Sequence, residues 1–506
     1  MSDFAYTRLT EMDRSFLIAE GRCSPMHVGA VEILEGEPLR NPAGALDFER
    51  ILAYVESRLH RIPRYRQCAV PAPIDGHPIW VDDPHFNLRY HVRHSRLPRP
   101  GDERVLKRTC ARIFEHPLDL HKPLWELWVV EGLEGGRVAL VNKLHHCMVD
   151  GVAGADLMSV LMTPEPCDTI EPAPVWLPRR GPTAAEYAAT ELAARLAAPF
   201  EVARSIARLV TDENRARADF VERIEATARI VGTALAGTRP MPFNQPIGPH
   251  RRIDWLQVSF EDAALIRSRF GGTLNDVVLA VVAGAVRRFL RQSRMTDPDG
   301  IDFRVMAPVS MRGARDDGKP GNHVAAWFVS LPIGERDPVE RLARVQEATA
   351  RLKRRHDALG FDALTQAVEW IGSAPIAIGT RLLERAQPPF HLVVTNVPGP
   401  RGPLHLLGAR MLEAHPLVPL LGQLALAVAL FSYDGKLSWG VTADWDLVPD
   451  LHDFVLALAH SFDRLLERAR AAPERPAGDA ARPARPSRPH RRAAGRRSAR
   501  HPDAAM

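Results

Sequence analysis

Two adjacent histidines, His145 and His146, are followed by Cys147 and then by Asp150 and Gly151, just after the apolar run Val138 to Val141. An imidazole, with an ordinary pKa of about 6.5, is the side chain best suited to take and return a proton near neutral pH when its other nitrogen is held. Asp150 can accept the orphan amide hydrogens of a helix start, and Gly151 tolerates a close approach of backbone. Other chemistry is open to the same residues. His145, His146 and Asp150 could ligate a metal, and Cys147 could be a nucleophile with imidazole neighbours to activate it. Adjacent histidines on a strand diverge, however, and the i, i+4 pairing of helical zinc motifs is absent. Taken singly, these residues also have plain structural accounts as a satisfied core histidine, a packed thiol and a helix cap.

The elements that must position them are a strand, a tight loop and a helix. Val138 to Val141 reads as the strand, Trp125 to Gly132 as its hairpin partner across the Glu134-Gly135-Gly136 turn, and the largely apolar Val152 to Met162 as the helix. Side chains alternate on a strand, so one histidine faces a cleft and the other is buried unless the strand ends between them.

Upstream, Leu9 to Ile18 is a short helix capped by Thr10 with Asp13 behind it, Met26 to Leu34 a strand, and residues 45–60 helical. Trp80 to His94 is extended around Asp82-Asp83-Pro84, and Arg104 to Glu115 is a helix before Pro123-Leu124-Trp125 enters the hairpin. Pro164 to Pro182 has a linker's composition, and Ala184 to Ala236 should form two or more bridging helices, whose basic faces also suit an acidic lipid surface.

The second half opens with a strand, Ile253 to Phe260, and a long apolar helix, Leu274 to Phe289, in which Thr273 and Asp276 make a capping box. That accounts for Asp276. It does not account for Asn275, a polar side chain in the first turn of an apolar helix. Phe303 to Ser310, Val324 to Pro332, Phe390 to Asn396 and Leu437 to Ala443 read as strands of a second sheet, and Leu417 to Phe431 as a buried strand or helix. Residues 338–357 and Asp450 to Ala469 read as helices.

Five cysteines without CxxC spacing argue against a disulfide framework or a cysteine zinc site. The formal charge of +5 is local. Residues 471–506 carry nine arginines and three acids, which leaves residues 1–470 at −1, so the fold itself gives no reason to expect a nucleic-acid partner. That Arg/Pro/Ala-rich stretch has no recurring apolar residue and reads as a solvated extension. No window holds the eighteen or so apolar residues of a membrane span and no secretory signal opens the chain, so a cytoplasmic protein is expected.

His145 to Gly151 matches the HHxxxDG signature of the chloramphenicol acetyltransferase-like superfamily. Pro25-Met26-His27-Val28-Gly29, Pro123-Leu124-Trp125, Asn275-Asp276-Val277-Val278-Leu279-Ala280 and Asn396-Val397-Pro398-Gly399-Pro400 resemble, in order, motifs of the bacterial wax ester synthase/diacylglycerol acyltransferase family. The resemblance spans roughly residues 1–465, with Thr395 where serine is common.

It implies an α/β protein of two chloramphenicol-acetyltransferase-like domains, with mixed sheets flanked by helices and an active-site tunnel between them. The boundaries expected are 1–163 for the first domain, 164–239 for linker and bridging helices, 240–470 for the second domain and 471–506 for the tail. The implied reaction is acyl transfer from long-chain acyl-CoA, a substrate rather than a cofactor, to diacylglycerol or a fatty alcohol, with peripheral contact to a membrane or lipid inclusion. His146 would be the general base, His145 and Asp150 with Gly151 would support the loop, and Asn275 would stabilise the oxyanion. Pro123, Leu124, Trp125 and Asp276 would lie near substrate, and Arg312 would be an anion contact for CoA. No metal or cofactor is implied. A carrier-protein-dependent acyltransferase of another branch, or an inactive lipid-binding homologue, would carry the same fold. Oligomeric state is not legible.

Overall fold

The computed structural model describes residues 4–148, 160–193, 238–239, 241–310, 324–357 and 389–473. The first half holds β1 (Thr7–Arg8), α1 (Glu11–Ala19), β2 (His27–Leu34), α2 (Phe48–Arg58), β3 (Gln67–Pro71), β4 (Pro78–Asp82), α3 (Leu88–His91), β5 (Val92–Arg96), α4 (Glu103–Glu115), β6 (Trp125–Glu131) and β7 (Val138–His145). The second half holds β8 (Arg251–Ser259), α5 (Phe260–Phe270), α6 (Leu274–Ser293), β9 (Phe303–Ser310), β10 (Val324–Leu331), α7 (Pro338–Asp357), β11 (Leu392–Val397), β12 (His405–Leu406), β13 (Ala409–Leu417), β14 (Leu426–Tyr433), β15 (Lys436–Asp444) and α8 (Leu451–Ala471). Between them, residues 184–193 are helical. The remainder of the expected bridging helices (194–237) and the basic tail from 474 lie outside the described residues.

Among the described residues the strands form two six-stranded mixed sheets, ordered β12-β13-β2-β7-β6-β5 and β10-β9-β11-β14-β15-β8, with a three-stranded sheet β1-β4-β3 besides. Parallel pairing joins β5 to β6, and β11 to both β9 and β14. Every residue of β7 is buried, the apolar run Val138 to Val141 and the polar Asn142, Lys143 and His145 alike, so the strand does not read as an alternation. Ala139 and Val141 pack with Leu106, Cys110 and Phe114 of α4, while Val138 and Leu140 pack with Ile51 and Val55 of α2. In the second half α6 is buried nearly all round, against the sheet through Val305 and Val428 and beside Phe454 and Leu458 of α8. The predicted capping box is present: Thr273 Oγ1 accepts from Asp276 N at 3.2 Å, and Asp276 Oδ2 accepts from Thr273 N at 2.7 Å.

Three local expectations change. The stretch Trp80 to His94 is broken by α3, whose cap Asn87 accepts a hydrogen bond from Arg89 N, so β4 and β5 belong to different sheets. Helix α5, capped by Ser259, fills the space between the strand and the long helix, where the sequence reading placed no element. Residues 405–417, expected in the second domain, complete the first sheet: β13 pairs with β2 from Leu417↔Gly29 to Met411↔Leu34.

That exchange welds the halves together. Gly440 of β15 faces the Pro416 carbonyl of β13 so closely that an added Cβ would come within 1.7 Å of the oxygen. Trp255 of β8 stacks on His415 of β13 at 4.5 Å, α4 is tied to β8 by Lys107 to Asp254 at 2.5 Å, and Glu115 of α4 meets His250, the residue before β8, at 3.2 Å. No described helix is long and apolar enough to cross a membrane.

One carboxyl in the first sheet makes a stability prediction. Glu32 on β2 is enclosed, accepts a hydrogen bond from Asn142 Nδ2 through one oxygen, and has no partner for the other among the described residues. Burial pushes its pKa up to about 8, from the ordinary carboxylate range. The folded state therefore holds this proton more tightly than the unfolded chain, so stability is greatest below the unfolded pKa and falls as pH rises through 8. Glu32→Gln is expected to match wild type in thermal unfolding near pH 5 and to exceed it by about 2–4 kcal/mol near pH 9, with the gain appearing between those values. An unchanged difference across that range contradicts the assignment.

Candidate active site

Strand β7 ends at His145, and His146 opens a single 3-10 turn, His146–Met148. The break separates the two imidazoles. His145 shares the α4 side of β7 with Val141 and Lys143 and is fully buried. Its backbone N–H donates to Leu124 O at 2.9 Å, and its Nδ1 accepts from Cys147 N at 3.1 Å. An accepting Nδ1 places the ring proton on Nε2, which faces Glu20 Oε2 at 3.4 Å, longer and less well aimed than a hydrogen bond. Both nitrogens are thus directed at protein, and His145 is a fixed element of the turn.

His146 is placed by different neighbours. Its backbone N–H donates to Met26 O at 2.8 Å, and its ring lies against Phe16 of α1, centroids 3.8 Å apart and planes 22° off parallel. Nδ1 has no hydrogen-bond partner among the described residues. Burial, with His145 adding a smaller effect in the same direction, lowers its pKa to about 4, so the ring is neutral at ordinary pH. A neutral imidazole has a lone pair to offer, which is the state a general base needs.

The loop before β2 carries this arrangement. Glu20 follows α1 and its carboxylate accepts from Met26 N at 2.5 Å, while Met26 O receives His146 N–H. Arg251 of β8 reaches across from the second half to donate to Cys23 O in the same loop. The histidine turn is therefore held by elements of both halves. Glu20 and Arg251 were not singled out from sequence. Neither lies in a periodic or capping pattern, and the one available signal was an acid six residues before Met26.

Pro123-Leu124-Trp125 stands beside the turn, but by backbone. Leu124 O is the acceptor for His145, Trp125 pairs with Leu144 in register, and both side chains are buried in the core. The Trp125 indole donates to Tyr65 O at 2.8 Å and its ring stacks on His91 at 4.8 Å. Cys147 is buried, and that burial, with Asp13 nearby, raises its thiol well above the ordinary cysteine value, the reverse of what a nucleophilic thiolate requires. Asp276 Oδ1 also accepts from Thr349 of α7 at 2.6 Å. Its partners belong to the helical layer of the second sheet, and Asn275 is half-buried in the first turn of α6. Among the described residues no hydrogen bond or ion pair joins this pair to the histidine turn. Asp150, Gly151 and Arg312 lie outside the described residues.

The family model for the wax ester synthase/diacylglycerol acyltransferase catalytic domain matches residues 9–278, and that for the WS/DGAT C-terminal domain matches residues 320–466. The chain belongs to the wax ester synthase/diacylglycerol acyltransferase family. A Mycobacterium tuberculosis protein named provisionally as a diacylglycerol O-acyltransferase is 33% identical over 93% of this chain and 92% of its own length. A Mycobacterium bovis protein of the same provisional name is 32% identical over 90% and 95%. Among solved structures, the wax ester synthase/diacylglycerol acyltransferase of Marinobacter aquaeolei VT8 superposes with a TM-score of 0.65 at 24% identity, covering 92% of this chain and all 100% of that one. The first condensation domain of the calcium-dependent antibiotic synthetase superposes with a TM-score of 0.57 at 16% identity, covering 92% and 97%. These structures share the two-domain chloramphenicol-acetyltransferase-like fold. Membership of the family makes the chain an O-acyltransferase, and it assigns the histidine turn to the half matched by the catalytic-domain model.

Proposed function

We propose that the chain moves a long-chain acyl group from acyl-CoA to the hydroxyl of a diacylglycerol or a fatty alcohol, with His146 as the base. The observation that carries this is the placement of His146, its ring stacked on Phe16 and its backbone N–H bound to the Met26 carbonyl, in a turn whose supporting loop is tied to the second half by Arg251, with burial keeping the imidazole neutral. His146 takes the hydroxyl proton as the alcohol oxygen attacks the thioester carbonyl. The tetrahedral intermediate then collapses, the C–S bond breaks, and the same proton passes to the leaving thiolate. One residue serves as base and acid, and no acyl group is borne by the enzyme.

His145, Asp150 and Gly151 hold the turn in this reading. Asn275 is the amide donor to the oxygen that gains negative charge. Pro123, Leu124 and Trp125 fix the strand beside the acyl channel, Asp276 holds the start of α6, and Arg312 meets a CoA phosphate. Acyl-CoA is a substrate and no cofactor is required. Both substrates partition into lipid, so we place the protein at a membrane or inclusion surface from the cytoplasmic side. The active-site tunnel runs between the two halves.

The test is thiol release from palmitoyl-CoA in the presence of hexadecanol or dioleoylglycerol, with the ester identified by chromatography. Acceptor-dependent release with stoichiometric ester is expected, and the ratio of the two rates gives the preferred alcohol. Absence of turnover with both acceptors would overturn the proposal in favour of a carrier-bound donor or a lipid-binding role.

A further inference from the structure

A buried cation below the histidine turn has no part in the chemistry above. Lys143 lies on β7 two residues before His145, 1% exposed, with all of its donors used. Its Nζ donates to Ile113 O and His116 O, each at 3.0 Å, and meets Glu126 Oε2 of the neighbouring strand at 2.9 Å. Glu126 also meets Arg93 at 3.0 Å and accepts from the Trp128 indole at 3.0 Å. His27, the cross-strand partner of His145, adds contacts to the same stretch: Nδ1 stands 3.4 Å from Phe114 O, and Nε2 accepts from Leu118 N at 3.2 Å. The carbonyls at the end of α4 are thereby gripped from the floor of the histidine turn. The flank of the same helix carries the ion pair of Lys107 with Asp254 of β8 in the second sheet, and its last residue, Glu115, meets His250 just before that strand.

We propose that Lys143, charge-balanced by Glu126, is a positioning residue that sets where His146 stands relative to the second half of the protein. The logic is mechanical. The C-terminal carbonyls of a helix are unsatisfied within it and attract a cation, so an ammonium on the catalytic strand locks strand to helix end. Since α4 is also pinned to β8, the lock fixes the distance between the base and any group the second half presents to substrate. A site whose reacting atoms must meet within a few tenths of an ångström is sensitive to that distance. This rests on the acyltransferase reading for its activity readout only.

The experiment compares Lys143→Met and the double variant Lys143→Met/Glu126→Gln with wild type. The single variant leaves the buried Glu126 carboxylate to Arg93 and the Trp128 indole, and the double variant, which removes both charges of the pair, is expected to be the more stable of the two. In the double variant, with a melting temperature like wild type, kcat is expected to fall by about 10²-fold while the KM for palmitoyl-CoA moves less than about threefold. Hydrogen exchange should quicken in peptides covering 113–118 and 143–148 and remain unchanged in α6 and α8. A stable double variant with wild-type kcat overturns the proposal, as does exchange unaltered in those two peptides. The exchange arm needs no turnover, so an inactive wild type would defeat the acyltransferase reading and leave this inference to be decided by exchange.

Discussion

His146→Ala is expected to lower acceptor-dependent kcat/KM by about 10³-fold at pH 7.5, with little change in the KM for acyl-CoA. The base acts only as the alcohol oxygen attacks, so its loss is felt in the transition state and not in donor binding. The pH profile carries the signature. Because burial lowers the His146 pKa to about 4, the wild-type rate should be flat from about pH 8 down to about 5 and fall as pH drops through 4 and the ring takes up a proton. The residual activity of the variant should lack that limb. Folding gives a second reading of the same group. The unfolded imidazole, with a pKa near the ordinary 6.5, binds a proton more readily than the folded one, so this residue costs stability progressively as pH falls from 6.5 to 4 and changes nothing above. Stability in His146→Ala should therefore decline less steeply in that window, as measured by chemical denaturation at pH 4.5, 5.5 and 7.

Gly440→Ala is expected to be the most damaging small substitution in the seam. A methyl group there would stand 1.7 Å from the Pro416 carbonyl oxygen and 2.8 Å from its carbon, both backbone atoms within a paired strand. Neither strand can yield: β13 is fixed to β2 in the first sheet, and β15 lies between β14 and β8 in the second. Relief requires the sheets to part, which exposes the Trp255 and His415 stack. Loss of about 4 kcal/mol or more follows, at the upper end for single substitutions, and reads out as failure to accumulate in soluble form. Gly402→Ala is the control, since a methyl group at that exposed glycine meets nothing within 4 Å. It should stay within about 0.5 kcal/mol of wild type. Equal stability of the two variants would show that the sheets are not closely apposed at Gly440.

Most elements were legible because their signals are local. Thr273 and Asp276 announce a helix start by reciprocal capping, and the strand from Phe303 to Ser310 has the bounds its apolar pattern predicts. The pairing of β13 with β2 was not legible, since alternation identifies a strand and not its partner, and nothing in residues 409–417 points to residues 29–34. Helix α5 was missed although Ser259 with Glu261 and Asp262 forms a recognisable cap, because the strand reading ran on to Phe260 and so took the cap residue into the strand. Within the site, the two histidines were legible and the reason they diverge was not. That reason is the strand end at His145, fixed by the Leu124 and Met26 carbonyls from two other segments. Glu20 and Arg251 owe their placement to loop geometry and to contacts across more than a hundred residues, and Lys143 to the end of α4 and a carboxylate on the neighbouring strand, none of which leaves a periodic trace.

Direct transfer, with His146 acting on the alcohol and no acyl-enzyme, is tested most sharply by rapid-quench measurement of thiol release from palmitoyl-CoA with and without hexadecanol or dioleoylglycerol. The account predicts no burst of thiol in the absence of alcohol and, with alcohol, thiol and ester appearing together at the same rate. A burst equal to the enzyme concentration without alcohol, with palmitate recovered on the protein, would contradict it.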